Sequence, residues 1–339
     1  MKYLSLFSGI GGFEVAIHRI FPDAECIGYS EVKPHAIDVY KHHFPEHKNL
    51  GDITKISNKM IKKVTKNGCD LVVGGFPCTN LSSMANIRGD SRGLKGKKSG
   101  LFYEMLRVIS FANPRYILIE NNYSMKKINR KIITEELQSL FEEKIYMTMI
   151  NSADFGVQNR RRLYWTNFLS DVLPRECFQT WKDILVPVSK VRPSSEKMVI
   201  GFNRPIYKNR GKTETRIAVK IKENRYKFVQ EKASKSRWHI GYISDNMSTE
   251  LYPYPVGKSR PIIGTAGTNN VLIDRRCRTP GTFLLRKFTA IEKERLCGFK
   301  DGYTFGSFTK RSDLLGNTVV VHVIEYILTH IMDITQKSP

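Results

Sequence analysis

The sequence predicts an α/β protein whose main domain is a doubly wound, mostly parallel sheet, accompanied by a smaller irregular domain rich in β-structure. Three observations predict this. In the first half of the 339-residue chain, short apolar runs alternate with amphipathic stretches. A hydrophobic content of 41%, with aromatic residues at 11%, is enough for a packed core. From about residue 186 to residue 280 the helical periodicity fades, and Pro, Gly, Asn and Ser become more frequent.

The elements of the main domain are predicted as strands and helices that alternate along the chain. Apolar runs predict strands over residues 3–7, 24–29, 70–74, 116–120, 145–151 and 163–167. Amphipathic stretches predict helices over residues 11–21, 34–43 and 100–112, and a further helix that ends near residue 143. Helical patterns return in TAIEKERLCGF and in TVVVHVIEYILTHIMDI, and the second is apolar enough to be a buried helix. Strands separated by helices imply right-handed βαβ units, whose ligands sit at the carboxyl ends of the strands.

The positive charge of the chain is concentrated in the irregular segment. Lys and Arg number 55 against 32 Asp and Glu, a net charge of +23. Residues 186–280 hold 20 Lys and Arg against 7 Asp and Glu, which is +13 of that total. Aromatic residues are interleaved with these charges, at Tyr226, Phe228, Trp238, Tyr242, Tyr252 and Tyr254. We therefore expect a nucleic acid partner, and we predict one domain over residues 1–185 plus 281–339 and a second over residues 186–280.

The composition also argues against several protein classes. The six cysteines are scattered and form no CxxC pair, so we expect neither a disulfide framework nor a metal site. Cys26, Cys69 and Cys297 sit in apolar runs and are predicted to be core residues, whereas Cys177 and Cys277 have no motif around them. We see no uninterrupted apolar run of about 18 residues and no typical signal peptide, and we expect an intracellular protein without a membrane span.

A glycine-rich turn follows the first predicted strand. Gly9, Gly11 and Gly12 stand at the start of a helix, where glycine allows positive φ and close approach of a ligand to the backbone. Glu31 and Asp52 are predicted to end the next strands, within reach of ribose hydroxyls and an adenine amino group respectively. The spacing departs from G-x-G-x-x-G, so this pattern favours an adenosine-containing cofactor without a pyrophosphate. A tight turn with two solvated acids is an equally good interpretation of these residues alone.

Four side chains are candidates for the chemistry. Cys78 follows Pro77 in GGFPC, directly after an apolar strand, where a stiff turn would aim a thiol. Glu120 ends another apolar strand and would face the same crevice. Arg160 and Arg162 lie on one side of a predicted extended segment and could clamp carboxylates, carbonyl oxygens or phosphates.

Together, the motifs FSGIGG, GDIT, GGFPC, ENN, QNRRR, RKFTAIEKERLCGF and GNTV resemble those of the C5-cytosine-specific DNA methyltransferases. They occur in the order found in that family and cover essentially the whole chain outside residues 186–280. The resemblance implies a Rossmann-like domain dependent on S-adenosyl-L-methionine, which yields S-adenosyl-L-homocysteine as product. It also implies that residues 186–280 form the target-recognition domain for double-stranded DNA.

The resemblance further implies a covalent mechanism. Cys78 matches the nucleophile that adds to C6 of cytosine, and Glu120 matches the residue that interacts with cytosine N3. Arg162, with Arg160 beside it, would hold the cytosine O2 and the Glu120 carboxylate. Because a stacked base cannot reach such a site, base flipping is implied.

Positions that match the cofactor-binding residues of the family can be assigned, and candidate DNA contacts can be named from the loop after Cys78 and from the basic segment. The resemblance assigns the cofactor turn and its pocket to Phe7, Gly9, Ile10, Gly12, Glu31, Asp52, Leu101 and Asn317. Candidate DNA contacts, some of which would touch only phosphates, are Thr79, Ser82, Arg204, Lys208, Arg210, Arg237, His239 and Arg260. Two departures from the family pattern, Asn122 in place of Val and Thr79 in place of Gln, bear on target preference and rate.

Three alternatives to a DNA methyltransferase remain. A tRNA cytosine-5 methyltransferase of the same fold is disfavoured by the size of the basic segment. A non-catalytic DNA-binding homologue is disfavoured by the four candidate residues named above. A nicotinamide-dependent oxidoreductase is disfavoured by the absence of G-x-G-x-x-G. We expect a monomeric prokaryotic or phage-encoded enzyme in the cytoplasm, associated with the nucleoid, that serves restriction-modification or phage self-protection.

Overall fold

The computed structural model describes residues 1–77, 100–168, 179–186, 198–201, 238–244, 250–253, 270–274 and 282–337. These residues build two sheets. The first carries the N-terminal half of the chain and is surrounded by helices, and the second consists of strands from the later part of the chain.

The first sheet has six strands in the order β2-β1-β3-β4-β6-β5. Its strands are β1 (Lys2–Leu6), β2 (Glu25–Ser30), β3 (Leu71–Gly74), β4 (Tyr116–Asn122), β5 (Tyr146–Asn151) and β6 (Arg161–Thr166). Strands β2, β1, β3 and β4 run parallel, whereas β6 runs antiparallel to both β4 and β5. The predicted doubly wound, mostly parallel sheet is therefore confirmed. Because the chain leaves β1 for β2 on one side and returns to β3 on the other, a crevice opens at the carboxyl ends of β1 and β3.

Nine helices belong to the described residues. They are α1 (Gly12–Ile20), α2 (Pro34–His43), α3 (Asn58–Val64), α4 (Leu101–Ala112), α5 (Lys127–Gln138), α6 (Trp181–Ile184), α7 (Ala290–Leu296), α8 (Phe308–Gly316) and α9 (Val321–Lys337). The start of α7 is specified by a capping box, in which Thr289 accepts from the Glu292 amide and Glu292 accepts from the Thr289 amide. Pro34 opens α2 at the position where a missing amide proton costs nothing.

Two hydrophobic clusters cover the two faces of the first sheet. Alternate residues of a strand point to opposite faces, so Tyr3 belongs to the cluster under α1, α2 and α9, and Leu4 belongs to the cluster under α3, α4 and α5. Val73 and Val72 of β3 divide in the same way. This two-sided burial explains why the parallel strands are continuous apolar runs in the sequence.

The C-terminal helix α9 packs against α1 and is part of the core, as its apolar pattern predicts. By length and composition alone, the segment Phe308–Met332 is long and apolar enough to cross a membrane. This differs from the expectation that no part of the chain is apolar enough. However, 67% of its most apolar 18-residue stretch is buried inside the protein, as in the core helix of a soluble protein.

The second sheet is antiparallel and has the order β7-β11-β10-β8-β9. Its strands are β7 (Met198–Gly201), β8 (Trp238–Ser244), β9 (Glu250–Pro253), β10 (Asn270–Asp274) and β11 (Thr282–Lys287). Four of the five lie within the basic segment. Strand β11 extends this sheet past residue 280, and the border between two domains remains a prediction.

One predicted element is wrong, and others differ at their ends. Asp52 does not end a strand: Gly51 adopts a φ of 80°, and Asp52 instead caps the short 3₁₀ helix Ile53–Lys55. The preceding residues make only an isolated bridge between Tyr29 and Asn49. Helix α3 was not anticipated, and α5 ends at Gln138 rather than near residue 143.

Candidate active site

The glycine turn, residues 7–12, connects β1 to α1 with three residues in the left-handed region. Their φ angles are 54° at Phe7, 60° at Gly9 and 87° at Gly11, which explains the two glycines and makes Phe7 a strained non-glycine position. The turn closes through a 3.0 Å hydrogen bond from the Gly11 amide to the Ser8 carbonyl. A Cβ at Gly9 would have no atom within 4 Å, so open space lies beside the turn.

Glu31, at the end of β2, is held against this turn. The Gly9 amide donates to Glu31 Oε2 at 2.9 Å, and the amides of Val32 and Lys33 donate to Oε1, each at 2.8 Å. Asn49 donates to the Glu31 carbonyl at 3.1 Å. The carboxylate is thereby oriented beside the open space at Gly9.

The remaining cofactor candidates lie around the same strand ends. Asp52 Oδ1 accepts from the Thr54 amide at 3.0 Å and from its hydroxyl at 2.8 Å, and these hydrogen bonds hold the pKa of Asp52 below its usual value. Leu101 begins α4, and both Leu101 and Phe7 are partly buried against the hydrophobic cluster under that helix. A turn with open space, an oriented carboxylate and apolar walls fits a nucleoside-containing ligand.

The closing loop, residues 316–319, carries the GNTV motif and packs against the start of α1. A Cβ at Gly12 would lie 2.8 Å from both Thr318 Oγ1 and Val319 Cγ2, so only glycine fits there. Asn317 directly follows α8 as its C-terminal cap, is exposed, and donates from Nδ2 to the Asp313 carbonyl at 2.8 Å. The structure therefore brings the chain's C-terminal part against the turn that follows β1.

Glu120 and Arg162 form an ion pair at the carboxyl end of β4. Arg162 Nε lies 2.7 Å from Glu120 Oε1, and the two side chains are only 15% and 14% exposed. Strands β4 and β6 pair so that Asn122 stands opposite Arg162, which brings the two charges to one edge. On the other side, a Cβ at Gly75 would lie 3.0 Å from Glu120 Oε2. The carboxylate therefore faces the backbone of the GGFP segment, three residues before Cys78.

Arg160 has different partners from Arg162. It lies before the first residue of β6 rather than within the strand, and its side chain is buried. Its Nη2 donates to the carbonyls of Thr318 at 2.7 Å and Gly316 at 3.2 Å. Burial, and then the nearby charge of Arg162, lowers the pKa of Arg160 to about 10. The neighbouring Arg161 is exposed, with its guanidinium 5.9 Å from the Tyr123 ring centroid.

Four residues of this region were not identified from the sequence. Asn121 donates from Nδ2 to the Phe76 carbonyl at 3.0 Å and ties the end of β4 to the GGFP segment. Tyr303 donates to the Ile10 carbonyl at 2.8 Å and supports the glycine turn. Asn121, Thr318 and Val319 belong to the ENN and GNTV motifs, which indicated that these segments are functional. No sequence motif contains Tyr303.

Asn122, one of the departures from the family pattern, caps the turn after β4. Its Oδ1 accepts from the amide of Ser124 at 2.9 Å and from its hydroxyl at 3.0 Å. Asn is well suited to such a turn.

Several candidates lie outside the described residues, namely Cys78, Thr79, Ser82, Arg204, Lys208, Arg210, Arg237 and Arg260. His239 is on β8, of which only the backbone is described. Within the described ranges, no three His, Cys, Asp or Glu side chains are grouped so that they could hold a metal ion.

Comparison with known protein families and sequences gives a consistent result. A family model described as C-5 cytosine-specific DNA methylase matches residues 1–333. The Type II methyltransferase M1.ScrFI of Lactococcus lactis subsp. cremoris is 27% identical over 99% of this chain and 79% of its own length. The Type II methyltransferase M.HhaI of Haemophilus parahaemolyticus is 25% identical over 98% of this chain and 94% of its own length. The orphan methyltransferase M.Rho11sI of Bacillus phage rho11s is 32% identical, over 52% of this chain and 34% of its own length.

Solved structures share the fold. The methyltransferase EhMeth of Entamoeba histolytica superimposes with a TM-score of 0.67 at 15% identity, over 99% of this chain and 98% of that one. A DNA modification methyltransferase encoded within an Escherichia coli prophage, described as putative, superimposes with a TM-score of 0.62 at 18% identity. The superposition covers 99% of this chain and 100% of that one.

Proposed function

Because the chain belongs to the C-5 cytosine-specific DNA methylase family, we propose that it is a DNA (cytosine-5-)-methyltransferase. It would transfer a methyl group from S-adenosyl-L-methionine to C5 of a flipped-out cytosine in a specific duplex DNA sequence. The observation that carries the proposal is the Glu120–Arg162 ion pair, 2.7 Å long, which lies against the backbone that leads to Cys78. This is where a carboxylate and a thiol would have to meet one base.

The residues around the glycine turn would hold S-adenosyl-L-methionine, which supplies an electrophilic methyl group when bound. Glu31, already oriented by three backbone amides, has a carboxylate that suits ribose hydroxyls. Phe7 and Leu101 would pack against apolar parts of the cofactor. At Gly9, Ile10 and Gly12 the backbone would approach the cofactor closely. Asn317 would line the far side of the pocket. Asp52 is assigned to the adenine amino group, and its lowered pKa keeps it an acceptor.

The chain's own residues would act on the cytosine in a definite sequence. The Cys78 thiolate adds to C6, which forms an S–C bond and makes C5 nucleophilic. Glu120, protonated or sharing a proton with cytosine N3, stabilises the electron density that moves into the ring, and Arg162 fixes the Glu120 carboxylate and the cytosine O2. After C5 has gained the methyl group, a base removes its proton and elimination releases Cys78.

The substrate and biological setting follow from the charge and the relatives. A crevice at strand ends cannot admit a stacked base, so the cytosine must leave the duplex, and the basic segment 186–280 would hold and recognise the DNA. The relatives include bacterial Type II methyltransferases and an orphan methyltransferase of a phage. These support a cytoplasmic, prokaryotic or phage-encoded enzyme in restriction-modification or phage self-protection, which we expect to act as a monomer.

Methyl incorporation tests the reaction and its substrate. Full-length protein would be incubated with tritiated S-adenosylmethionine and either duplex DNA or tRNA. We expect label in duplex DNA, none with Cys78→Ala, and wild-type incorporation with the control Cys177→Ala, which removes a cysteine without a motif. Label in tRNA alone would identify the RNA enzyme, and full activity of Cys78→Ala would exclude the covalent mechanism.

A mechanism-based duplex tests the covalent step itself. DNA that contains 5-fluorocytosine cannot lose the C5 substituent, so it should trap the protein as an adduct through Cys78. Bisulfite sequencing of DNA from expressing cells would supply the target sequence needed to build that duplex. Absence of an adduct on the methylated sequence would contradict the proposal.

A further inference from the structure

Arg160 connects two parts of the chain that are far apart in sequence. Its buried guanidinium donates from Nη2 to the carbonyls of Thr318 and Gly316, at 2.7 Å and 3.2 Å. A guanidinium removed from water needs acceptors that compensate for lost hydration, and such charge-assisted hydrogen bonds are among the stronger ones in proteins. The closing loop is therefore fastened to the segment that precedes β6.

The closing loop, in turn, has no freedom to move towards the glycine turn. Thr318 Oγ1 and Val319 Cγ2 are already so close to Gly12 that a Cβ there would overlap both. On the same side, Tyr303 donates to the Ile10 carbonyl at 2.8 Å. The position of the closing loop thus sets the position of the backbone at the start of α1.

The guanidinium of the nearby Arg162 points away from the closing loop and contacts a different partner. It pairs with Glu120 at 2.7 Å, on the side where the cytosine would bind. Within the short segment 160–162, Arg160 thus contacts the loop beside the cofactor turn, whereas Arg162 lies where the base would bind.

We propose that Arg160 is a positioning residue that supports the cofactor turn through the closing loop, and that it does not touch the cytosine. This rests on the proposed function, because it assigns S-adenosylmethionine to that turn. It replaces the expectation that Arg160 and Arg162 clamp the same groups. Loss of Arg160 weakens cofactor binding, whereas loss of Arg162 slows methyl transfer.

Calorimetric titration with S-adenosylhomocysteine, together with KM and kcat for methylation, tests this division. For Arg160→Met we expect the Kd for S-adenosylhomocysteine and the KM for S-adenosylmethionine to rise about tenfold, with kcat changed less than about threefold. Arg160→Lys should recover part of the affinity, because its ammonium keeps the positive charge and can donate to these carbonyls but lies at the end of a shorter side chain. Arg162→Lys should lower kcat and leave the Kd for S-adenosylhomocysteine near that of wild type.

Arg161→Ala is the matched control, because it removes an adjacent, exposed arginine and should change neither Kd nor kcat. Circular dichroism checks the fold of each variant. If Arg160→Met does not fold, the Kd of Arg160→Lys for S-adenosylhomocysteine tests the inference in its place. An unchanged Kd with a fall in kcat like that of Arg162→Lys would overturn the inference. If wild type binds S-adenosylhomocysteine with an affinity that depends on Arg160 but methylates no nucleic acid, the proposed function fails and this inference stands.

Discussion

At the scale of single residues, Glu120 and Arg162 form the ion pair on which the proposed chemistry depends. Both side chains are largely buried, so removal of either partner leaves an uncompensated charge. We expect Glu120→Gln to reduce the single-turnover methylation rate by about 100-fold or more, because an amide cannot exchange a proton with cytosine N3. Rapid-quench measurement of methyl transfer into duplex DNA would determine this rate.

The control for this substitution is Glu135→Gln, on the exposed face of α5. Glu135 pairs with Lys131 at 3.6 Å, and both side chains are more than half exposed. An exposed pair of this kind contributes little, so its loss should leave the rate unchanged. A Glu120→Gln variant as fast as Glu135→Gln would remove Glu120 from the mechanism.

A second residue-scale feature is the fully buried Glu14 of α1. Tyr40 donates to Glu14 Oε1 at 3.0 Å and also contacts His47 Nδ1 at 3.1 Å. Burial raises the pKa of Glu14 to about 7, and burial lowers the pKa of His47 to about 4, assisted by the charge of His18. The pKa of His18 is lowered as well, also by burial.

These two pKa shifts make the stability of the protein depend on pH in opposite directions. Folded Glu14 keeps a proton that the unfolded chain loses above pH 4.5, so its contribution is fully present below that pH and is lost as the pH rises to about 7. Folded His47 binds its proton less well than the unfolded chain, so its contribution is present above pH 6.5 and is lost as the pH falls to about 4.

The variant Glu14→Gln separates the two contributions. Relative to this variant, we expect wild type to lose about 2 kcal/mol of unfolding free energy between pH 5 and pH 7.5, on the basis of about 1.4 kcal/mol per pKa unit. Urea unfolding at a series of pH values measures the difference. Stability curves of wild type and Glu14→Gln that stay parallel over this range would show that Glu14 does not titrate there.

At the scale of elements, the contact between the closing loop and α1 determines the residue at position 12. Alanine normally favours a helix over glycine by about 1 kcal/mol, so Gly12→Ala would stabilise an unobstructed helix start. Here the new Cβ would overlap Thr318 and Val319, and we expect a loss of about 1–3 kcal/mol instead. Thermal and urea unfolding give the sign of the change directly.

A double-mutant cycle assigns that loss to the loop. In a Thr318→Ala, Val319→Ala background, both overlapping side-chain atoms are absent, and Gly12→Ala should be much less destabilising. An equal loss in both backgrounds would mean that backbone conformation, rather than the loop, requires glycine.

At the scale of the whole molecule, the uneven distribution of charge predicts which part of the chain controls the salt dependence of DNA binding. Residues 186–280 carry +13 of the net +23. If Lys208 and Arg210 contact phosphates, each alanine substitution should reduce the slope of log K against log salt concentration by about 1. Fluorescence anisotropy with a labelled duplex at several salt concentrations measures the slope.

The matched control removes a lysine outside the basic segment. Lys131 is exposed on α5, so Lys131→Ala should leave the slope unchanged. A decrease in the slope with Lys131→Ala but not with the other two variants would place the DNA-binding surface outside residues 186–280.

The sequence by itself determined the fold class, the family and most elements. The apolar runs predicted as strands are confirmed as the parallel strands β1, β3 and β4, and the amphipathic stretch 34–43 is confirmed as α2. Such local patterns are visible because burial imposes a period on the residues of each element. Gly9 and Gly11 in the turn after β1 could be identified for another local reason, since positive φ strongly favours glycine.

Only the tertiary structure decided which side chains meet. The strand predicted before Asp52 is absent because the chain turns at Gly51, and Asp52 caps a 3₁₀ helix instead. Arg160 and Arg162 are the same residue type and only two positions apart, yet one reaches carbonyls more than 150 residues away and the other reaches Glu120. Contacts between distant parts of a chain depend on how the elements pack against each other, and no local period in the sequence records that packing.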